Sequence, residues 1–390
     1  MKFFRWKVLL PSLLSLFLLV QFLYFNHKII DVRKSLKARI KKHKTHIRGS
    51  DFVFYKAFHN KFLLPKELSK VPYADTEMIK RVKKIKIRDV FAPYNGALIE
   101  KKDGYWLLFR YDNIRQMYFN KIDSNVGCVE LDQYLKQTNS DFFTIETNSN
   151  SSEDPRILKM GEDFLVVFND LFSAENGRRG MHIGKINFEQ KRADNVSPLD
   201  LKIATTEKNW SPFVYQDSNG ESSICFEYQV SHPRQILYLE NLFDPKKQEI
   251  YQQAASLASI PWEKKWGMPA GGTPARLVDG EYLAFFHSKF RDKAGILWYV
   301  LGAYTFEAQA PFRIAKVSPY PILFEGIYDN EYLNTAEPTK CVIFPGSYAI
   351  KEHDGKTLIQ LACGENDSSV KVITFDKKEL LESLVQIEKK

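Results

Sequence analysis

Beyond Arg88 the chain breaks into short apolar runs rich in Val, Ile, Phe and Tyr, separated by Gly, Asn, Asp and Pro, with few windows of helical period. This pattern predicts strands and an all-β body. One turn signal recurs within it. Asp103-Gly104, Gly161-Glu162-Asp163, Asn219-Gly220, Asp279-Gly280 and Asp354-Gly355 each introduce an apolar or aromatic run: YWLLFR, FLVVFND, SSICFEY, YLAFFHS and TLIQLACG. The glycines lie 57, 59, 60 and 75 residues apart, which leaves room for two more strands per repeat. Five hairpins at a nearly constant period predict a five-bladed β-propeller over residues 89–376. A β-sandwich, the competing all-β architecture, would not require such a period. Residues 377–390 read as a short terminal helix.

Upstream the pattern is different. Lys2, Arg5 and Lys7 precede an uncharged run from Val8 to Phe25. That length just reaches across a bilayer, and Phe22, Tyr24 and Phe25 suit an interfacial anchor. The expectation is a signal-anchor transmembrane segment over residues 1–27, with a phospholipid membrane as partner. Nine Lys/Arg between Lys28 and Arg48 then oppose a single acid, Asp31, giving a basic stem within a lead-in spanning residues 28–88. The expected fold class is therefore all-β: a five-bladed propeller preceded by an N-terminal transmembrane helix and basic stem. The expected localisation is a single-pass membrane protein. Loop charge would place the body in the cytoplasm, whereas sequons at Asn150, Asn195, Asn209 and Asn366 suit a luminal or extracytoplasmic body, the side this reading favours.

Locating the charge changes its meaning. The net +9 belongs to residues 1–50, with twelve basic residues against one acidic, and the remainder is slightly acidic. A nucleic-acid partner is not expected for such a body. Cys128, Cys225, Cys341 and Cys363 are far apart, with no metal-ligand spacing, and read as buried thiols. No HExxH, GxSxG, Walker or GxGxxG pattern is present, so neither a metal nor a cofactor is expected.

The repeat also predicts which residues meet. With the five turns on one face, the strand ends opposite them should form a rim near the axis. The first blade brings Asn95 and Arg110, and the second brings Asp154, Arg156, Asn169 and Asp170, with Glu153 alongside. The third supplies Lys208, Asn209, Trp210 and Glu227, the fourth Gly272, Thr273 and His287, and the fifth Asp367. Trp210 and Phe213 are read as core. Cations facing carboxylates across a pore suit an anionic group bound beside a hydroxyl-rich one.

The segments EDPRI (Glu153 to Ile157), EKNWSPF (Glu207 to Phe213), GGTPARLVDGEYLAFFHS (Gly271 to Ser288), YVLGAY (Tyr299 to Tyr304) and SPYPIL (Ser318 to Leu323) together resemble glycoside hydrolase family 130. That family contains β-mannoside phosphorylases and related hydrolases, and the mannosyltransferases of glycosyltransferase family 108 share its five-bladed fold. The resemblance spans about residues 90–375. It implies that Asp154 is the catalytic acid and that Asn95 and Arg110 lie around the sugar. Arg156, Lys208 and His287 then fall where the family binds or supports phosphate. Asp367 sits where the family shows a strand ending in Gly and Asp. The family's other phosphate-binding arginine has no clear counterpart, with Arg178 or Arg179 as the options.

The function expected from these residues is a membrane-anchored enzyme forming or cleaving a β-mannoside-type bond, by transfer, the favoured reading, or phosphorolysis, with a mannoside, sugar phosphate or nucleotide sugar as substrate and Asp154 as general acid/base. Phosphate or a sugar phosphate arrives already ionised, so one acid and a cationic pocket suffice. An inverting hydrolase would need a base as well, for which Glu227 is the candidate. A non-catalytic carbohydrate-binding propeller is the third reading.

Overall fold

The computed structural model describes residues 64–90, 92–112, 123–172, 177–199, 205–231, 233–241, 249–256, 260–329 and 340–387. Within them the protein is built from five antiparallel meanders. The first holds β2 (Tyr94–Lys101), β3 (Gly104–Asp112), β4 (Ser124–Leu131) and β5 (Phe143–Thr144). The second holds β6 (Glu153–Met160), β7 (Asp163–Leu171), β8 (Arg179–Asn187) and β9 (Arg192–Leu199). The third holds β10 (Ser211–Gln216), β11 (Ser222–Gln229), β12 (Arg234–Glu240) and β13 (Glu249–Ser256). A one-turn helix α1 (Glu263–Trp266) leads to the fourth: β14 (Ala270–Gly271), β15 (Arg276–Val278), β16 (Glu281–Arg291), β17 (Leu297–Glu307) and β18 (Ile314–Val317). After β19 (Lys340–Cys341) the fifth follows as β20 (Ile343–His353), β21 (Lys356–Glu365) and β22 (Ser369–Asp376), then helix α2 (Lys377–Glu382) and β23 (Val385–Gln386).

The fifth meander is completed from the other end of the described chain. β1 (Ile79–Ile85) pairs antiparallel with β22. It is an edge strand whose Lys80, Arg81 and Lys84 are exposed, which discourages further strand addition. A parallel bridge between Ala97 and Ser347 joins the first and fifth meanders, so the strands form four hydrogen-bonded sheets and none closes on itself.

The recurrent turns join β2 to β3, β6 to β7, β10 to β11, β15 to β16 and β20 to β21. Asp279-Gly280 and Asp354-Gly355 have positive φ at both residues, the left-handed pair that matches a two-residue hairpin to strand twist. The second strands are buried through their middles because neighbouring meanders cover both faces, as in Leu165 to Phe168 of β7. The largest apolar cluster lies under the fourth and fifth meanders, around Trp262, Trp298, Phe285 and Phe375. Trp210 and Phe213 are fully buried core residues, and all four cysteines are buried free thiols.

The expected fold class and localisation need correction. The described body is all-β with two short helices, and no helix among the described residues is long and apolar enough to cross a membrane. The transmembrane helix of residues 1–27 and the basic stem to residue 50 lie outside the described residues, so the single-pass membrane assignment and the membrane partner have no structural support. The strands form separate sheets rather than one closed sheet.

Candidate active site

Two bulges create the site. The register of β2 against β3 shifts between Tyr94 and Ala97, and that of β6 against β7 shifts between Glu153 and Arg156. Asn95 and Asp154 occupy these irregularities with φ of 48° and 54°. A bulge re-aims a side chain, and Asn and Asp tolerate the left-handed region better than most residues. Here both side chains turn toward each other: Asn95 Nδ2 donates to Asp154 Oδ1 at 2.7 Å. Gly364 of β21 makes room, because a Cβ there would lie 1.9 Å from Asn95 Oδ1 and 2.6 Å from its backbone nitrogen.

Arg110 connects the first two meanders. Its Nη1 lies 3.3 Å from Asp154 Oδ1 and 3.2 Å from Glu153 Oε2, while Nε donates to Asp112 Oδ1 at 3.2 Å. Asp112 is fixed in turn by the hydroxyls of Tyr94 and Ser124, both at 2.6 Å, and the guanidinium lies over the Tyr94 ring. Glu153 gathers two more cations. Lys208 Nζ is 2.7 Å from Oε2 and Arg179 Nη2 is 3.2 Å from Oε1.

Arg156 is buried by a different means. It donates to the carbonyls of Gly271, Gly272 and Asp154 and to Asn209 Oδ1, and it lies over the Phe344 ring. None of the ion pairs among the described residues includes it. Burial lowers its pKa to about 10 against the pull of Asp154. Gly272 must be glycine for this carbonyl to approach, since a Cβ would meet Phe285 O at 2.5 Å and Pro345 Cγ at 2.6 Å.

Four cations, Arg110, Arg156, Arg179 and Lys208, gather around Asp112, Glu153 and Asp154, and a fourth carboxylate, Asp367, acts on Tyr94 at the edge of the group. Burial pushes the Asp154 carboxyl up, but Arg110, Lys208, the Asn95 hydrogen bond and Arg156 outweigh it and hold it below the usual carboxylate value. His287 of β16 packs against Tyr299 and Phe344. Burial, then Arg156 and Lys289, bring its pKa to about 3, so the ring is neutral, and its Nδ1 is buried without a partner among the described residues.

The residues expected at the rim thus divide into two groups. Asn95, Arg110, Asp154, Arg156, Lys208, Asn209 and Gly272 form one network through direct bonds or a shared partner, with His287 beside it. Asp170 and Thr273 face the protein instead, and Asn169 reaches the network only as a support for Arg179. Asn169 donates to the carbonyls of Gly180 and Glu207 and accepts from Arg179 Nε. Asp170 accepts from Ser149 and Ser152, and Thr273 Oγ1 accepts from Phe285 N. Asp367 occupies the turn after β21 with φ of 46°, close enough for its charge to raise the Tyr94 hydroxyl, which burial raises most.

Glu227 lies apart from this network, bonded to Tyr304 and Arg234. It is fully buried, both oxygens accept from the Tyr304 hydroxyl at 2.7 Å, and one also binds Arg234. Of the arginines left open by sequence, Arg179 is the one in the network, while Arg178 lies over Phe172. Asp112 and Tyr94 escaped sequence reading, although Asp112 stands two residues after Arg110 and so on the same strand face.

No protein-family model and no curated protein matches this sequence. Solved structures do match. One comes from work showing that the family 130 mannoside phosphorylases include glycoside hydrolases that target β-1,2 mannosidic linkages in Candida mannan. It is 12% identical, with 77% of this chain and 87% of that one aligned at a TM-score of 0.55. A β-1,2-mannobiose phosphorylase from Listeria innocua, in complex with β-1,2-mannobiose, is 15% identical over 84% and 98% of the chains, with a TM-score of 0.52. A mannose phosphorylase from Leishmania mexicana, bound to phosphate ion, is 13% identical over 80% and 93%, with a TM-score of 0.51. At these identities the likeness establishes a shared fold: this chain is built like the mannoside phosphorylases and hydrolases of glycoside hydrolase family 130.

Proposed function

We propose that this protein is a glycan-active enzyme that cleaves, or in reverse forms, a β-mannosidic bond with inorganic phosphate as the second reactant and Asp154 as the proton carrier. One observation carries the reading: beside Asp154 the cations Arg110, Arg179 and Lys208 converge within 3.2 Å of the Glu153 carboxylate, with Arg156 buried next to them. Convergent charged donors of this kind in a partly buried site suit a tetrahedral oxyanion. The folds bearing mannobiose and phosphate in the solved relatives support the substrate class.

In the cleavage direction a phosphate oxygen attacks the anomeric carbon from the face opposite the leaving sugar. The glycosidic C–O bond breaks, and the Asp154 proton passes to the leaving oxygen. In synthesis the acceptor hydroxyl gives its proton to the Asp154 carboxylate as phosphate departs. Arg110 and Asn95 hold that carboxylate in place. Hydrolysis is disfavoured because it needs a base to activate water, and Glu227 is bound up in its buried pair while Glu153 is held by three cations.

The full chain incubated with β-1,2-mannobiose should release mannose 1-phosphate only when inorganic phosphate is present. Equal release of free mannose with and without phosphate would overturn the reading. So would turnover by Asp154→Asn at the wild-type rate.

A further inference from the structure

Glu153 has an environment that the proposed chemistry does not use. Its carboxylate is shared among Arg110, Arg179 and Lys208 at 2.7–3.2 Å, and the same Arg110 nitrogen reaches Asp154. These are the side chains an incoming oxyanion would engage. Lys208 is the accessible one, with 35% of its side chain exposed, and its only hydrogen bond among the described residues goes to Glu153. Glu153 therefore stands in for the anion in the free site.

We propose that Glu153 is a positioning residue that couples anion binding to proton uptake at Asp154: an oxyanion entering among Arg110, Arg179 and Lys208 draws off the cations that keep Asp154 ionised, and its carboxylate then takes a proton from solvent. The other groups facing Asp154 leave this as the consistent outcome. Asn95 donates to it from β2, Arg156 acts from its own strand, Asp112 is tied to Arg110 on β3, and His287 on β16 is neutral. Burial of Asp154 persists when the cations are neutralised by another anion, and burial favours the uncharged acid. The same linkage runs in reverse: protonated Asp154 binds the anion more tightly. Phosphate would thus arm the acid that its own attack requires. The catalytic meaning rests on the reading proposed above, but the linkage itself needs no turnover.

Sulfate is the suitable probe, because it is a tetrahedral dianion that neither gains nor loses a proton near neutral or mildly acidic pH. Calorimetric titration of the full chain at about pH 5, in buffers of different ionisation enthalpy, reads the protons taken up per sulfate bound. Wild type should take up protons on binding, and Asp154→Asn should bind sulfate with that uptake abolished. Glu153→Gln should bind sulfate about tenfold more tightly, since the resident competitor is gone. Lys208→Met, a change at a partly exposed side chain, should bind more weakly and take up fewer protons, and it serves if Glu153→Gln does not fold. Uptake that persists in Asp154→Asn, sulfate binding without uptake in wild type, or no sulfate binding at all would each overturn the proposal. A chain that shows the linkage but cleaves no mannoside would instead refute only the proposed reaction.

Discussion

Arg110 Nη1 lies 3.3 Å from Asp154 Oδ1, and the same nitrogen is 3.2 Å from the carboxylate of the preceding residue, Glu153. A single guanidinium from the first meander therefore orients the acid of the second. Replacing it with methionine keeps the bulk and removes the charge. Arg110→Met should lower kcat/KM for phosphate-dependent mannoside cleavage by about 100-fold or more, the scale of losing a charge-assisted contact at a reacting group. Steady-state kinetics at several phosphate concentrations provides the measurement.

Arg179 should act more selectively. It touches Glu153 but not Asp154 among the described contacts, and Asn169 and Ser151 fix its position. Arg179→Met should raise the KM for phosphate by about tenfold to 100-fold while changing the KM for the sugar much less. An equal rise in both would place this arginine at the sugar instead.

Gly364 tests the geometry of Asn95 without removing a polar group. A Cβ at this position would fall 1.9 Å from Asn95 Oδ1, so the asparagine must move. Gly364→Ala should cost about 1–3 kcal/mol of stability and should also reduce turnover, because the hydrogen bond that orients Asp154 is displaced. Thermal melts and kinetics on the same preparation separate the two effects.

Glu227 should behave as a structural residue. Glu227→Ala leaves Arg234 charged and fully buried, at a cost of about 3–5 kcal/mol. Folded material recovered at low temperature should keep its phosphate-dependent activity. A fully stable variant with abolished turnover would return Glu227 to the chemistry.

His287 makes a pH prediction. Its pKa in the fold is about 3 against 6.5 ordinarily, with burial the main cause. The unfolded chain therefore binds a proton that the folded chain refuses. Stability from this group is fully present above about pH 6.5 and is lost as pH falls toward 3, with a slope of up to about 1.4 kcal/mol per pH unit. Denaturant unfolding across that range should show a shallower decline for His287→Gln than for wild type.

The hairpins were legible in the sequence because a two-residue turn demands Asp-Gly or Asn-Gly, and the alternation of apolar runs around such turns is a local signal. The position of Asp154 followed from its place opposite one of those turns. What stayed hidden was non-local. Asn169 and Asp170 stand at the expected rim, yet most of their partners, Gly180, Glu207, Ser149 and Ser152, come from neighbouring strands and loops, with Arg179 a further donor to Asn169. Glu227 looked free because Arg234 and Tyr304 approach it from other strands. β1 falls within the expected lead-in because IKRVKKI is dominated by lysine and arginine, most of which an edge strand exposes. The apolar N-terminal run lies outside the described residues, and no helix within them is long and apolar enough to cross a membrane.

The central claim is a single displacement by phosphate, with Asp154 moving the proton. The most direct test is the anomeric configuration of the sugar phosphate formed from a β-mannoside, read by NMR before mutarotation of the other product matters. Attack from the face opposite the leaving oxygen predicts α-mannose 1-phosphate as the sole initial product. Formation of β-mannose 1-phosphate would require a second displacement and a nucleophilic side chain, and would contradict the account.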